Sequence, residues 1–189
     1  IEAYRESGCR IIVGQQVTDK PNPWNLPVYT TDEALKLTAD AIGRWDGELS
    51  GRVNAWAMPF AREYCSDELL TGLKRIVDEH STGLTNHHSQ TVPATEGSAE
   101  LNVSSTQKLA DLGVLGPHVT LAHALGISVA DVEIIAASGA RVIMWTTAAI
   151  KGGSGMTNSA LLPERLEAGV PVGLGTDAGN NSNLVESMG

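Results

Sequence analysis

Apolar residues along this chain fall into short runs that alternate with longer segments of helical periodicity. Six runs have the length and the β-branched content of buried strands: Arg10–Gly14, Val53–Met58, Gly83–His87, Val119–His123, Arg141–Trp145 and Val170–Thr176. The segments between them predict helices over Thr31–Trp45, Ser66–His80, Ser98–Leu112, Ser128–Ser138 and Asn158–Ala168. Three of these helices are followed by a glycine at the expected stop position, namely Gly113, Gly139 and Gly169.

The spacing of the strands predicts the fold class. Strand starts recur every ~20–40 residues, which is the period of a βα unit, and six units in a row favour an α/β chain of the (β/α)8 barrel type. A complete barrel takes about 250 residues. We therefore interpret residues 1–189 as one partial catalytic barrel domain, with the start and a C-terminal portion of the barrel outside the chain. An open, doubly wound sheet is the structural alternative, because strand order cannot be read from the sequence.

Composition narrows the range of partners. The net charge of -9 argues against nucleic acid or an anionic membrane as a partner, since both attract basic surfaces. No apolar stretch approaches the ~18 residues that cross a bilayer, and no signal peptide is visible. The two cysteines, Cys9 and Cys65, form no metal-ligand spacing and are typical of free thiols in a reducing compartment. We expect a cytoplasmic protein that acts on a small molecule.

Three polar signatures end apolar runs, in the segments 85–91, 119–123 and 172–177. They contribute His87, His123 and Asp177, each of which can bind a metal ion or move a proton. Catalytic groups of parallel α/β folds gather at the carboxyl ends of the strands, because those ends share one face. Two histidines and an aspartate from three strands therefore predict a hydrolase that uses a metal-activated water.

The order of these motifs resembles the amidohydrolase superfamily, especially its cytosine deaminase and chlorohydrolase branch. Gly8 to Gly14 is similar to that family's third strand, the sequence HHSQT at 87–91 to its fifth, and GVLGPHVTLAH at 113–123 to its sixth. GGSG at 152–155 resembles the loop after the seventh strand, and AGVPVGLGTD at 168–177 resembles the eighth strand. The resemblance implies that the first two βα units, with their His-x-His pair, lie outside the chain.

The resemblance also implies roles for individual residues. His87 and Asp177 would hold a divalent metal ion, with zinc expected and iron as the alternative; Asp177 would also accept the proton of the attacking water, and His123 would polarise the substrate. Trp145, at a strand end, is a candidate wall for a planar substrate ring. Each residue has a structural alternative: a hydrogen-bonded histidine at a strand end, a helix N-cap for Asp177, or a core tryptophan. His88, which alternates with His87, is predicted to point toward the helices.

Gln90 departs from the family pattern, because deaminases of this family carry glutamate there. An amide can contact a substrate but has no titratable proton to shuttle, so Gln90 is placed among the catalytic residues as a group that binds the substrate. The leading hypothesis is hydrolysis of a carbon–nitrogen bond of a planar nitrogen compound, by deamination or cleavage of a cyclic amide. One alternative is a hydrolase with a non-amine leaving group, such as a halide. Another is a non-catalytic fragment or binding protein without a complete metal site. We expect the full-length protein to form a homo-oligomer.

Overall fold

Strands and helices alternate along the chain in the computed structural model, which describes residues 1–90, 103–153 and 160–177. The strand pairs with a defined register are all parallel. The chain divides into two compact units, Ile1–Asn86 and His87–Gly189. Among the described helices, none is both long enough and apolar enough to span a membrane.

The first unit contains two short pairs of parallel strands and their helices. Its elements are, in order, α1 (Glu2–Ser7), β1 (Ile11–Val13), β2 (Gln16–Val17), α2 (Thr31–Trp45), α3 (Glu48–Gly51), β3 (Val53–Ala55), β4 (Met58–Pro59), a 3-10 turn (Arg62–Tyr64) and α4 (Asp67–His80). Strand β5 (Leu84–His88) begins in this unit, and its last two residues belong to the second unit. β1 pairs with β3, and β2 pairs with β4.

The predicted strands Arg10–Gly14 and Val53–Met58 are wrong in their bounds, because the ladder between them is interrupted. The two short pairs nevertheless keep one register, with Val13 opposite Ala55 and Gln16 opposite Met58. At the break, a Cβ atom on Gly14 would lie 2.4 Å from the carbonyl oxygen of Trp56. The two backbone segments approach each other too closely there for a side chain to fit, which explains the glycine at this position.

Local sequence accounts for the bounds of the two long helices of the first unit. α2 begins after Thr30, whose side chain accepts a hydrogen bond from the N–H of Glu33 while the Glu33 carboxylate binds the N–H of Thr30. This capping box fixes the start of α2 where it was predicted. α4 begins one residue later than predicted, because Ser66 is its N-cap and not its first turn. The apolar faces meet in a small core of Ile42, Ala55 and Ile76.

The second unit is a parallel sheet with helices between its strands. Its elements after β5 are α5 (Ser105–Asp111), β6 (Val119–His123), α6 (Val129–Ser138), β7 (Arg141–Met144), α7 (Thr146–Lys151), α8 (Leu162–Glu167) and β8 (Val172–Leu174). The strand order is β5-β6-β7-β8, so neighbours along the chain are neighbours in the sheet. Gly113, Gly139 and Gly169 all have positive φ, which confirms the predicted helix stops.

Several predicted bounds in this unit are wrong for identifiable reasons; α6, for example, begins one residue later than predicted, because Ser128 is its N-cap. α5 does not begin at Ser98, which lies outside the described residues; Ser104 is its N-cap and accepts a hydrogen bond from the N–H of Gln107 at 3.0 Å. α8 begins at Leu162 with proline in its first turn, while Asn158 also lies outside the described residues. β7 ends before Trp145, which is the N-cap of the unpredicted helix α7. β8 is shorter than predicted, because the N–H of Val170 still bonds to Arg165 of α8.

Candidate active site

The carboxyl ends of β5 and β6 are joined by backbone hydrogen bonds. The N–H of Ala124 donates to the carbonyl of His88 at 2.7 Å, and the N–H of Leu125 donates to the carbonyl of Ser89 at 2.9 Å. These bonds fix the position of one strand end relative to the other. As a result, the rings of His87 and His123 stack, with centroids 5.4 Å apart and an interplanar angle of 21°.

His123 stands in a strained backbone turn. Its φ is 74°, and the N–H of Ala124 reaches back to the carbonyl of Ala122 at 3.2 Å, so the three residues close a γ-turn of the positive-φ type. Ala124 follows with a φ of 52°. Two successive non-glycine residues with positive φ are energetically costly, and such strain concentrates at functional sites.

Burial keeps the His123 ring neutral. The side chain is 4 % exposed, and this burial, together with the nearby His87, lowers the pKa of His123 to about 4, although Asp177 acts in the opposite direction. A neutral imidazole carries one N–H donor and one acceptor nitrogen. At neutral pH, His123 can therefore donate a hydrogen bond without bringing a positive charge into the site.

His88 faces the helices, as its alternation with His87 predicts. Its Nε2 lies 2.9 Å from Oγ1 of Thr106 on α5, and the ring is fully buried. Burial lowers the pKa of His88 to about 4; Asp131 acts to raise this pKa, and Arg165 acts to lower it. His88 is thus a neutral buried histidine behind the strand that carries His87.

Trp145 connects the end of β7 to the end of β8. Its ring lies 5.8 Å from that of His123, centroid to centroid, and packs over Gly175. A Cβ atom on Gly175 would meet the Trp145 ring at 2.4 Å, so a residue with a side chain does not fit. Within the described part of the chain, the buried Nε1 of Trp145 has no hydrogen-bond partner. The ring therefore presents an apolar face beside His123, while its Nε1–H is buried.

Asp177 and Gln90 lie beyond the ends of their strands, where side chains are exposed. Asp177 comes three residues after β8 with a φ of 58°, and its charge acts on His123. Gln90 comes two residues after β5 and is exposed. Over residues 1–90, 103–153 and 160–177, no group of three or more histidine, cysteine, aspartate or glutamate side chains is arranged to hold a metal ion. The site residues of this chain thus supply at most part of a ligand set.

Arg165 adjoins the site, although its sequence context does not predict this. This arginine of α8 is completely buried, and one Nη atom donates a hydrogen bond to the carbonyl oxygen of Ala124, directly after His123. Glutamates at 164 and 167 flank the position, so the segment has the polar composition of an exposed helix face. No local pattern distinguishes this arginine from the solvated ones.

Fold and site define a class: an α/β protein with parallel strands, of the (β/α)8 barrel type, with imidazole and carboxylate groups at the carboxyl ends of its strands. The chain belongs to the amidohydrolase family, whose model matches residues 1–189. This confirms the family and the fold class that the motifs indicated.

Relatives with known names match the whole chain. The 5-methylthioadenosine/S-adenosylhomocysteine deaminase of Syntrophobacter fumaroxidans is 30% identical over 189 residues, which are 100% of this chain and 41% of that protein. The 5'-deoxyadenosine deaminase of Methanosarcina mazei is 33% identical over 191 residues, covering 99% of this chain and 42% of that protein. The fold is similar to a variant of atrazine chlorohydrolase from Arthrobacter aurescens TC1, complexed with zinc and atraton, at a TM-score of 0.84 and 20% identity. That match covers 99% of this chain and 43% of the other, so the chain spans less than half the length of these relatives.

Proposed function

We propose that the complete protein is a metal-dependent hydrolase that cleaves a carbon–nitrogen bond of a small planar nitrogen compound, by deamination or by hydrolysis of a cyclic amide. The observation that carries this proposal is the stacking of His87 on His123 at adjacent strand ends, with Asp177 near enough to act on His123 electrostatically. Membership of the amidohydrolase family and the similarity to deaminases of adenosine-type nucleosides support it.

The metal is proposed to bind His87 and Asp177, and zinc is the expected ion. Imidazole nitrogen and carboxylate oxygen are usual zinc ligands, so the donor types fit. Bound zinc makes a water molecule acidic enough to attack at neutral pH. Two ligands are too few, so further ligands are required, and the family resemblance implies a histidine pair on the first strand of the barrel. The zinc in the related chlorohydrolase structure supports this choice of ion.

Each site residue of this chain would then have its own role in the reaction. The exposed carboxylate of Asp177 would accept the proton of the attacking water. Neutral His123 would donate a hydrogen bond to the negative charge that develops on the substrate. Trp145 would contact one face of a planar substrate ring. Gln90 would orient the substrate through its amide.

A second candidate is a hydrolase whose leaving group needs no protonation, such as a halide. The observation that favours it is Gln90, an exposed amide at the end of β5, since an amide cannot deliver a proton to a departing amine. The variant Gln90→Glu separates the two candidates. A gain in ammonia release would indicate a deaminase that has lost its proton shuttle, whereas halide release by the unmodified protein would favour the alternative.

The test is an assay of both ammonia and chloride release by the purified, zinc-loaded complete protein. The substrates are 5'-deoxyadenosine, 5-methylthioadenosine and a chlorinated triazine, because the related proteins carry these names. Asp177→Asn removes the proposed base and is expected to lower kcat by roughly 10²–10⁴-fold. Asp111→Asn, on the exposed side of α5, is the matched control and should leave kcat unchanged. No turnover of any of these compounds by the zinc-loaded protein would contradict the proposal.

Metal analysis distinguishes the enzyme from a non-catalytic remnant. Stoichiometric zinc in the complete protein, reduced by His87→Ala, would contradict the remnant. A complete protein that holds no metal would favour it. A homo-oligomeric state and a cytoplasmic location stay predictions, which light scattering and cell fractionation would test.

A further inference from the structure

The buried arginine of α8 carries a charge that its surroundings barely satisfy. Arg165 is completely buried, and its Nε and Nη1 atoms have no hydrogen-bond partner among the described residues. Burial lowers the pKa of Arg165 to about 10, with Glu164 acting in the opposite direction, so the guanidinium stays protonated at neutral pH. A buried charge with a single acceptor is destabilising. A contribution to stability therefore does not explain why arginine occupies this position.

Among the described residues, the acceptor for Arg165 is the carbonyl oxygen of Ala124. The same peptide segment is held on its other side, where the N–H of Ala124 donates to the carbonyls of His88 and Ala122. Both the backbone N–H and the backbone carbonyl of Ala124 are thus hydrogen-bonded. Because Ala124 has a φ of 52° and His123 a φ of 74°, these bonds hold a backbone that would otherwise relax to negative φ.

We propose that Arg165 is a positioning residue, which binds the Ala124 carbonyl from the helical layer and thereby holds the γ-turn that presents the His123 ring to the site. The catalytic consequence rests on the proposed function of His123, whereas the structural one does not. A charged donor suits this task because its hydrogen bond to a carbonyl is stronger than that of a neutral donor. Its planar, fork-shaped head is also more rigid than the ammonium group of lysine.

The first test is nuclear magnetic resonance on the isotope-labelled chain. A positive φ brings the amide and α protons of a residue close together, which gives a strong intraresidue cross-peak. Arg165→Met removes the donor at similar size, and we expect it to weaken these cross-peaks at both His123 and Ala124. Arg165→Lys retains the charge and should preserve part of the signal. Arg141→Met, an exposed arginine at the start of β7, is the control and should leave both peaks unchanged.

The second test is steady-state kinetics on the complete, zinc-loaded protein. A misplaced catalytic group costs roughly 10²-fold in rate, so Arg165→Met should lower kcat by about that factor. KM should stay unchanged, because the guanidinium lies behind the strand end and not at its exposed side. Arg165→Lys should recover part of kcat. A rise in KM at unchanged kcat would overturn the positioning role.

The two tests fail in distinguishable ways. An inactive unmodified protein refutes the proposed function, while the cross-peaks still decide the role of Arg165. A folded Arg165→Met chain with unchanged cross-peaks overturns the inference, even if the protein is an enzyme. If Arg165→Met does not fold, the unmodified chain supplies the test: a scalar coupling across the hydrogen bond from Arg165 Nη to the Ala124 carbonyl carbon is expected, and its absence overturns the inference.

Discussion

Gly175 is the position where a single methyl group should disturb the site most. A Cβ atom built there lies 2.4 Å from Cζ3, 2.5 Å from Cε3 and 3.1 Å from Cη2 of Trp145. Since these are atoms of a rigid ring, Gly175→Ala forces the whole indole to move. Overpacking of this kind costs about 1–3 kcal/mol, which lowers the midpoint of thermal unfolding by about 2–12 °C in a chain of this size.

Gly173→Ala is the matched control for this change. Gly173 lies on β8, two residues before Gly175, and among the described residues its added Cβ would meet only Cγ1 of Ile143, at an ordinary 3.7 Å. The control should therefore unfold within about 0.5 kcal/mol of the unmodified chain. Both glycines have φ outside the left-handed region, so the comparison isolates packing from backbone strain.

The assay is urea unfolding followed by circular dichroism and tryptophan fluorescence, extended to a double-mutant cycle. Trp145→Phe removes the outer ring atoms that the new methyl group meets, so Gly175→Ala should cost much less in that background. We expect a coupling free energy of about 1–3 kcal/mol between the two positions. Equal effects of Gly175→Ala in both backgrounds would refute the packing explanation. The same variant should also lower kcat, because the Trp145 ring adjoins His123.

Three further predictions concern buried polar groups of the two units. Burial raises the pKa of Cys65 to about 12, so a thiol reagent at pH 8 should modify only the exposed Cys9 in the native chain. In denaturant the reagent should modify both thiols. Rapid modification of both thiols in the native chain would contradict this prediction. Thr106→Val leaves Nε2 of His88 buried without its hydrogen-bond partner, so it should lower the free energy of unfolding by about 1–3 kcal/mol, as measured by urea unfolding. The control Thr71→Val, at an exposed position, should leave the free energy of unfolding unchanged. Burial raises the pKa of Asp131, but hydrogen bonds from Ser104 and Ser128 outweigh it and hold the pKa below its ordinary value. The stability that this carboxylate contributes is therefore complete above about pH 4 and lost as the pH falls further, and Asp131→Asn should flatten that part of the stability–pH curve.

Where structure is set by local contacts, the sequence predicted it closely. The capping box between Thr30 and Glu33 is visible in the sequence, and α2 has the predicted bounds. β6 has the predicted bounds, Val119–His123, and all of its residues except Ala122 are buried. Before α5, several serines could serve as the N-cap, and the sequence does not reveal that Ser104 is the one that does so.

The geometry at His123 depends on partners that are distant in sequence, which is why the sequence could not predict it. A histidine after a buried strand predicts a polar group at the strand end and nothing about its φ. The turn, which the carbonyl of Ala122 closes, is held from outside by the carbonyl of His88, 36 residues before Ala124 (124 − 88), and by Arg165, 41 residues after it (165 − 124). Arginine in a polar helix segment is normally solvated. Only the packing of α8 reveals that this one is buried.

Several energetically unfavourable features of the second unit lie at the carboxyl ends of its strands. Two of its helices, α5 and α6, begin with satisfied caps, Ser104 and Ser128. At the carboxyl ends lie the positive φ angles of His123 and Ala124 and the incompletely satisfied Arg165. Strain or an unsatisfied group costs about 1–3 kcal/mol at each position, a large amount beside a domain stability of about 5–15 kcal/mol. A chain that met no demand beyond folding would relax these strand ends with a glycine at 124 and an apolar residue at 165. The retained cost is therefore explained by the fixed placement of the His123 ring.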